Sequence, residues 1–286
     1  MRIGIFAFPT DLSLGIVPLA REVEERGYHS LWFPDHSHIP ASRKTPPGGR
    51  KSDRELPDEY RRNVDPLTGL AAVAAVTDHI EIGTGVCLVA QRDPIWTAKE
   101  VATVDQISGG RFRFGVGFGW NREEMAHHGV EFRTRRAKGR ENVLAMRELW
   151  TQEEASFSGD HVSFDTSWAW PKPTQRPHPP IYLGGAPVAD LFDQVIEYGD
   201  GWMPTAPDAL DPEPIAELHR RAEAAGRDPA SISLGVYAPK PDASHLHELE
   251  AMGYEWAALQ LRPYPARDER ETLDRYQPIL EEFGSR

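Results

Sequence analysis

The sequence predicts a (β/α)8 barrel, the TIM-barrel fold of the α/β class, as a single domain over residues 1–286 with two insertion segments. Eight short apolar runs of strand length alternate with eight amphipathic stretches, as expected of a parallel sheet with covering helices. The length of 286 residues is near the ~250 usual for this barrel. An open doubly wound sheet is the main alternative, but no predicted strand leads into a nucleotide-binding fingerprint.

The first half of the chain contains four strand–helix pairs with clear boundary signals. Asp65 and Asp93 are predicted N-caps because each precedes a proline that suits the first helical position. Gly27 ends the first helix because glycine readily adopts the left-handed conformation of helix C-termini. The predicted strands are Arg2–Phe8, His29–Asp35, Ile80–Val89 and Gly110–Gly119, and the predicted helices are Leu14–Gly27, Asp65–Asp78, Asp93–Ser108 and Gly139–Trp150.

The second half continues the alternation with looser periodicity. Short apolar runs are again separated by amphipathic stretches, which completes eight strands and eight helices. The predicted strands are Pro180–Gly185, Gly201–Pro204, Ser231–Ala238 and Trp256–Arg262, and the predicted helices are Ala189–Tyr198, Pro214–Ala225, Ser244–Met252 and Arg270–Phe283.

Two insertions interrupt this alternation. Ser37–Asn63 is rich in Pro, Gly and charge and has no periodicity, so we interpret it as a long loop and candidate lid. Thr151–Pro179 carries a hairpin signal around Gly159. Its Trp168 and Trp170 are candidates for a pocket wall or for ordinary packing. The basic side chains of the first insertion are interpreted as solvated, with anion contact as the alternative: Arg43, Lys44, Arg50, Lys51, Arg54, Arg61 and Arg62.

Composition narrows the class of protein. Forty-four acidic residues against 32 basic ones give a net charge of −12, which argues against a nucleic-acid partner because such binding needs a basic face. Cys87 is the single cysteine, so neither an internal disulfide nor a cysteine-based zinc site is expected. No apolar run approaches the ~20 residues of a membrane span, and the N-terminus turns polar too early for a signal peptide. A soluble cytoplasmic protein is expected.

Catalytic residues of such barrels lie at the carboxyl ends of the strands and in the loops that follow. In this sequence those positions are rich in glycine and aromatic residues and poor in ionisable groups. A site of this kind suits a large planar ligand, because glycine permits close backbone approach and aromatic side chains supply flat walls. The positions are Phe6–Pro9, Asp35–His36, Gly85–Cys87, Gly117–Trp120, Gly184–Pro187 and Trp202–Pro204.

"YLGGAP", Tyr182–Pro187, is the best candidate for anion binding. Two glycines between a strand and a helix allow successive N–H groups to face one oxyanion near the positive end of the helix. A tight turn that needs a positive φ is the alternative. "GVGFGW", Gly115–Trp120, is a weak match to a nucleotide loop, and we interpret Gly117 as backbone packed closely against a ring.

A metal site is the rival interpretation of "HSH", His36–His38. Alternate residues of a strand project to the same side, and an H-x-H pair at a barrel strand end begins many metal-dependent hydrolase sites. Further ligands would have to come from later strand ends, and no other predicted strand end supplies a histidine. We therefore expect no metal, and a metal-dependent hydrolase is the less favoured alternative.

Three stretches together resemble the luciferase-like monooxygenase superfamily, specifically its branch that uses the deazaflavin coenzyme F420. The resemblance is strong from Arg2 to Gly201 and looser beyond. The downstream "GDGW" that accompanies "LGG" favours the deazaflavin branch over FMN enzymes. The stretches are "GYHSLWFPDH" (Gly27–His36), the segment Ile80–Trp120 and "PIYLGGAP…VIEYGDGWMP" (Pro180–Pro204).

The resemblance implies a (β/α)8 barrel with the cofactor ring at the carboxyl mouth. A non-prolyl cis peptide that backs the ring maps to Gly85–Val86, with Cys87 next in the same strand end, and the family's phosphate site maps to Gly184, Gly185 and Ala186. A homodimer is also implied.

The pair Asp35–His36 resembles the Asp-His of deazaflavin-dependent dehydrogenases. Carried over, Asp35 orients the ring and His36 is the catalytic general base or hydrogen-bond donor. Histidine suits this role because its unperturbed pKa, ~6.5 in model peptides, lies near working pH. Sugar-phosphate dehydrogenases of this branch carry a Glu where this chain has Trp120. Trp120 therefore implies a more apolar substrate pocket and places a sugar-phosphate substrate in doubt.

The function expected from this resemblance is hydride transfer between coenzyme F420 and a small organic substrate. The reaction would oxidise an alcohol or reduce an activated C=C or C=O bond, with the protein supplying orientation and proton management. An FMN-dependent two-component monooxygenase on the same barrel is the first alternative. A binding protein that has lost catalysis is a further one, against which the presence of His36, Gly184 and Gly185 argues.

Overall fold

Eight parallel strand positions close into a barrel in the computed structural model, which describes residues 1–49, 55–263 and 265–284. The third position is divided between two short strands, and its first part pairs with the fourth position to complete the circle. The strands are β1 (Arg2–Ala7), β2 (Ser30–Phe33), β3 (Glu81–Thr84), β4 (Cys87–Leu88), β5 (Phe112–Gly117), β6 (Ala155–Ser158), β7 (Ser163–Ser167), β8 (Ile181–Gly184), β9 (Gly201–Met203), β10 (Ser233–Tyr237) and β11 (Trp256–Leu261). Of these, β6 and β7 form a separate antiparallel hairpin.

Helices follow the barrel strands and cover the outside of the sheet. Asp65 accepts a hydrogen bond from the N–H of Thr68, and Asp93 accepts one from Trp96, so both predicted N-caps are confirmed. The helices are α1 (Ile16–Glu25), α2 (Pro66–Ala74), α3 (Pro94–Ile107), α4 (Arg122–His127), α5 (Arg135–Thr151), α6 (Ala189–Tyr198), α7 (Ala206–Ala209), α8 (Glu213–Ala224), α9 (Ala243–Ala251) and α10 (Ala266–Phe283). None of the helices in the described ranges is long and apolar enough to cross a membrane.

Side chains alternate between two buried layers because successive residues of a strand face opposite sides. In β2, Leu31 and Phe33 pack among the helices, whereas Trp32 points into the barrel. The rings of Trp32 and Trp256 stack with centroids 4.7 Å apart inside the barrel. A Cβ at Gly235 would lie 1.9 Å from the Trp256 ring, so glycine there is required by the aromatic filling. This filling forms the floor beneath the carboxyl mouth.

The eight predicted strand positions are confirmed, and the differences from the prediction are local. The third strand is interrupted by a cis peptide between Gly85 and Val86, and two short helices, α4 and α7, were not predicted. α5 begins at Arg135 rather than at Gly139. The hairpin predicted around Gly159 is present as β6 and β7. Three basic residues of the first insertion, Arg50, Lys51 and Arg54, lie outside the described residues.

Candidate functional site

His36 lies at the carboxyl mouth, just after β2, and is only 7% exposed. Its Nδ1 is 2.8 Å from the Oε2 of Glu124, a carboxylate with no solvent exposure. The other oxygen of Glu124 accepts the backbone N–H of Ser37 at 3.2 Å. With Nδ1–H donated to a carboxylate, a neutral imidazole presents Nε2 as its acceptor. That Nε2 has no hydrogen-bond partner in the described part of the chain.

Glu124 was missed by the sequence analysis, although a local signal marked it. Asn121, three residues earlier, is the N-cap of α4, and the spacing Asn-x-x-Glu is typical of a capping box. In a capping box the third-position Glu turns back to its own helix terminus, so this signal alone describes a helix start. Here the Glu124 carboxylate turns to His36 instead, so an acid reaches the mouth from α4.

Aromatic rings surround the imidazole of His36. The ring of Trp120 lies 5.7 Å from it and that of Tyr60 lies 5.3 Å from it, measured between centroids. Tyr60 also packs on Phe8 at 4.9 Å, so part of the first insertion lies against the strand ends. Burial raises the pKa of Tyr60, with a smaller contribution from Glu59, which keeps the phenol neutral. Tyr60 carried no distinguishing signal in the sequence.

The first insertion is attached to α4 through Glu123. Its carboxylate accepts the N–H of Lys44 at 2.8 Å, the N–H of Thr45 at 3.2 Å and the hydroxyl of Thr45 at 2.6 Å. Desolvation raises the pKa of Glu123, but the hydrogen bonds from Thr45 and from these backbone groups outweigh it and lower that pKa to about 2. The adjacent acids Glu123 and Glu124 therefore bind the insertion and the histidine respectively.

Asp35 is buried and its carboxylate is fully engaged by protein groups. It accepts hydrogen bonds from two nitrogens of Arg92, at 2.8 and 3.0 Å, and from the N–H of Leu88 at 3.0 Å. Arg92 also reaches Asp65 at 2.6 Å. The side chain of Asp35 thus ties β4 to the end of β2.

The cis peptide expected at Gly85–Val86 is present. The side chain of Val86 lies between two glycines: a Cβ at Gly117 would be 2.1 Å from one methyl of Val86, and a Cβ at Gly184 would be 2.7 Å from the other. Gly117 therefore makes room for the side chain of Val86, and its contact with a cofactor ring stays a prediction. Cys87 is completely buried with its side chain among the helices, and burial raises the pKa of its thiol.

The loop after β8 contains the predicted anion site. Gly185 has a φ of +149°, and its carbonyl accepts the indole N–H of Trp202 at 3.1 Å. This bond joins the "LGG" and "GDGW" stretches. Ala186 lies in the same loop, and no side chain caps the N-terminus of α6, which begins three residues later at Ala189. The backbone N–H groups of this helix start remain available to an anion.

Three amide side chains near the mouth each have a buried atom without a hydrogen-bond partner in the described residues. They are the Oδ1 of Asn63, the Nε2 of Gln91 and the Nδ2 of Asn121. The other end of Asn63 donates to the carbonyl of Pro34 beside β2. Buried polar groups are normally paired, so these atoms are candidate contacts for a polar ligand. The residues at the mouth therefore fit a large heterocyclic cofactor with polar ring edges.

His38 belongs to a separate histidine cluster. Its Nε2 is 2.8 Å from the Nδ1 of His127, and its Nδ1 is 2.9 Å from the hydroxyl of Ser37, which also reaches His128 at 2.6 Å. His36 and His38 thus have different partners. Within residues 1–49, 55–263 and 265–284, no group of three or more His, Cys, Asp and Glu side chains is arranged to hold a metal ion.

The two tryptophans of the second insertion are exposed, so they do not wall a buried pocket. Trp168 is 74% exposed and Trp170 is 56% exposed, whereas Trp120 packs beside His36. Of the predicted site residues, the structure brings His36 and Trp120 together at one point of the mouth and Val86, Gly117 and Gly184 together at another.

Known proteins resemble this chain over most of its length. An uncharacterized protein of Mycobacterium tuberculosis is 42% identical over 247 residues, which are 85% of this chain and 86% of the relative. An F420-dependent hydroxymycolic acid dehydrogenase of the same organism is 28% identical, over 76% of this chain and 56% of that protein. An FMNH2-dependent dimethylsulfone monooxygenase of Pseudomonas putida is 34% identical, over 44% of this chain and 36% of that protein.

Solved structures agree on the fold. The monooxygenase RslO1 from Streptomyces bottropensis superposes with a TM-score of 0.78 at 21% identity and covers 99% of both chains. The family model described as luciferase-like monooxygenase matches residues 2–241. Since that match extends over most of its 286 residues, the chain belongs to the luciferase-like monooxygenase family.

Proposed function

We propose that this protein is an F420-dependent oxidoreductase that transfers a hydride between coenzyme F420 and a small organic substrate. The substrate would be an alcohol, or a compound with an activated C=C or C=O bond. The observation that carries the proposal is the buried pair of His36 and Glu124 at the barrel mouth, with the Nε2 of His36 left unpaired by the described residues. A group that can accept or donate one proton is what hydride chemistry at a carbon bearing oxygen requires.

Residues on the opposite side of the mouth would hold the cofactor. The Gly85–Val86 bulge would support the ring, and the loop from Gly184 to Ala186, at the start of α6, would bind the phosphate. When bound, coenzyme F420 supplies two-electron hydride chemistry at its ring carbon. Asp35 would contribute indirectly, because its carboxylate and Arg92 set the position of β4 beside the bulge.

His36 would manage the substrate proton through Nε2. In alcohol oxidation Nε2 accepts the hydroxyl proton, and in the reverse direction it donates one. Glu124 fixes the tautomer through Nδ1 and stabilises the imidazolium that forms, because a buried carboxylate lies 2.8 Å away. The rings of Tyr60 and Trp120 would limit water around the reacting atoms.

The choice of F420 over FMN rests on two supports. The hydrogen bond from Trp202 to Gly185 joins the two stretches that resemble the deazaflavin branch. The F420-dependent relative also aligns over 76% of this chain, compared with 44% for the FMNH2-dependent one. An FMN-dependent two-component monooxygenase remains the second candidate, because the family includes a relative with that cofactor.

Titration of the apoprotein with each cofactor tests this choice. Quenching of intrinsic tryptophan fluorescence should report tight binding of F420 and weak binding of FMN. Tight FMN binding without F420 binding would reverse the assignment. The bound cofactor can then be screened by absorbance against alcohols, enones and quinones.

Replacement of His36 by Asn tests the role of the imidazole. Turnover should fall by about 100-fold or more, in keeping with the contribution of a general acid–base group, while cofactor affinity stays within twofold. His38→Asn is the matched control, because His38 belongs to the separate cluster with His127. Unchanged turnover in His36→Asn would indicate that His36 lines the pocket without taking part in proton transfer.

Three further expectations stay predictions: the single-domain extent over residues 1–286, a homodimer and a cytoplasmic location. Sedimentation of the purified protein at several concentrations tests the homodimer.

A further inference from the structure

We infer that the protein has a second anion site, specific for phosphate groups, at the carboxyl ends of β10 and β11. A cavity of about 370 Å³ lies between the loop after β10, the end of β11 and α10. Three cationic side chains from these three elements line it: Lys240, Arg262 and Arg275. It lies apart from the loop at Gly184, which follows β8. The inference does not depend on the cofactor assignment.

The three cations are not neutralised by the protein. None of Lys240, Arg262 and Arg275 forms an ion pair with a carboxylate in the described ranges 1–49, 55–263 and 265–284. Uncompensated positive charge that lines one cavity favours an anionic ligand.

The acids of α10 are directed elsewhere. Glu271 pairs with Arg267 at 2.8 Å, and Asp274 pairs with Arg26 at 2.9 Å. Glu269 accepts the N–H of Leu14 at 2.5 Å. The helix therefore presents Arg275 to the cavity while three of its carboxylates serve other contacts.

Two of the three cationic residues are restrained by their neighbours. Arg275 donates to the hydroxyl of Thr272 at 2.6 Å, and Thr272 is only 7% exposed. On the other wall, Lys240 stands between Pro239 and Pro241, whose rings restrict the backbone on both sides. Side chains and backbone held in this way lose less conformational entropy when they bind.

The backbone at Ala238 supports the same interpretation. Ala238 has a φ of +51°, in the left-handed region that residues other than glycine rarely adopt. Its N–H donates a hydrogen bond to the carbonyl of Ala258 at 2.9 Å. A left-handed conformation is unfavourable for alanine and is retained where surrounding contacts demand it. Here it directs Pro239–Pro241 over the cavity.

Phosphate is the anion that matches this site best. One phosphate group carries about −1.5 to −2 charge on a single centre at neutral pH, and arginine binds its oxygens in pairs. Barrels frequently bind phosphate in the loops after the seventh and eighth strands, which β10 and β11 are in this barrel. The cavity volume suits a small organic phosphate rather than a second large cofactor.

The test is calorimetric titration of the full-length apoprotein with inorganic pyrophosphate. We expect saturable binding that weakens at least tenfold in Lys240→Gln and in Arg275→Gln. Arg267→Gln is the matched control on the same helix, because Arg267 pairs with Glu271, and it should leave the affinity within twofold. Thermal melting of each variant verifies that it folds.

Gly184→Val separates this site from the proposed cofactor site. Pyrophosphate binding should survive in Gly184→Val, whereas F420 binding should weaken. Three outcomes would overturn the inference: absence of saturable binding, retention of binding in Lys240→Gln and Arg275→Gln, or loss in Gly184→Val alone. Tighter binding of citrate than of pyrophosphate would overturn the assignment to phosphate. Because these titrations contain no cofactor, failure of the F420 proposal leaves them interpretable.

Discussion

The contact between Gly184 and Val86 allows a quantitative test of how the cofactor loop fits the strand bulge. In Gly184→Ala, the new methyl group would lie 2.7 Å from a methyl of Val86, well inside the 3.4–4 Å of ordinary contact. Gly184 has no positive φ, so the cost is steric rather than conformational. Overpacking of this kind costs about 1–3 kcal/mol.

Val86→Ala should relieve the clash. In the double variant the nearest remaining atoms to the new methyl are the carbonyl oxygens of Val116 and Met203, at 3.6 and 3.7 Å, which are ordinary contacts. Val86→Ala alone removes partly buried methyl groups and should cost on the order of 1 kcal/mol. The double variant should therefore be more stable than the sum of the single variants predicts, by about 1–3 kcal/mol.

Urea unfolding of the four apoproteins measures this coupling without substrate or cofactor. Melting temperatures give a second measurement, with a shift of roughly 2–4 °C for each kcal/mol. If the two destabilisations simply add, Val86 does not determine the need for glycine at position 184. The proposed fit between the bulge and the loop would then be refuted.

Two further predictions concern the adjacent acids of α4. Glu124→Gln should reduce turnover by about 10–100-fold at unchanged cofactor affinity, because a neutral amide stabilises the imidazolium of His36 less than a carboxylate does. Glu131 is an exposed ion-pair partner of Arg133, so the control variant Glu131→Gln should have no effect on turnover. Equal turnover in both variants would remove Glu124 from the mechanism. The low pKa of Glu123 means that its attachment of Lys44 and Thr45 is fully present above pH 4.5 and is lost as the pH falls toward about 2. Amide hydrogen exchange at Lys44 and Thr45 should accelerate in that range relative to barrel amides. In Glu123→Ala the same two amides should exchange fast already at pH 7. Protection of these amides that does not change with pH would contradict the prediction.

Local patterns were sufficient to predict the barrel. Strand length, helical periodicity and the caps at Asp65 and Asp93 are properties of short segments, and they agree with one another along the chain. The same holds for the position of His36, because the residue after a barrel strand lies at the mouth in this fold. The cis peptide at Gly85–Val86 was expected only from the resemblance to the family, and it is present in the structure.

Local patterns were not sufficient where a residue's partner is distant in the chain. The spacing of Asn121 and Glu124 is that of a helix cap, and Asn121 does cap α4, but only the structure shows that the carboxylate of Glu124 binds His36, which is 88 residues away. Gly117 shows the same limit, because only the structure places the side chain of Val86 beside it. Trp168 and Trp170 were pocket candidates, but both are exposed.

The sequence by itself determined the order and type of the elements and which residues stand at the strand ends, because backbone preference and side-chain periodicity act over a few residues. Only the tertiary structure decided how side chains pair across the mouth. Glu124 reaches His36, Arg92 engages Asp35, and Trp202 holds the loop at Gly185 because closing the barrel brings separate strand ends within hydrogen-bonding distance. Burial then makes those pairings obligatory, since an unpaired buried charge is too costly to retain.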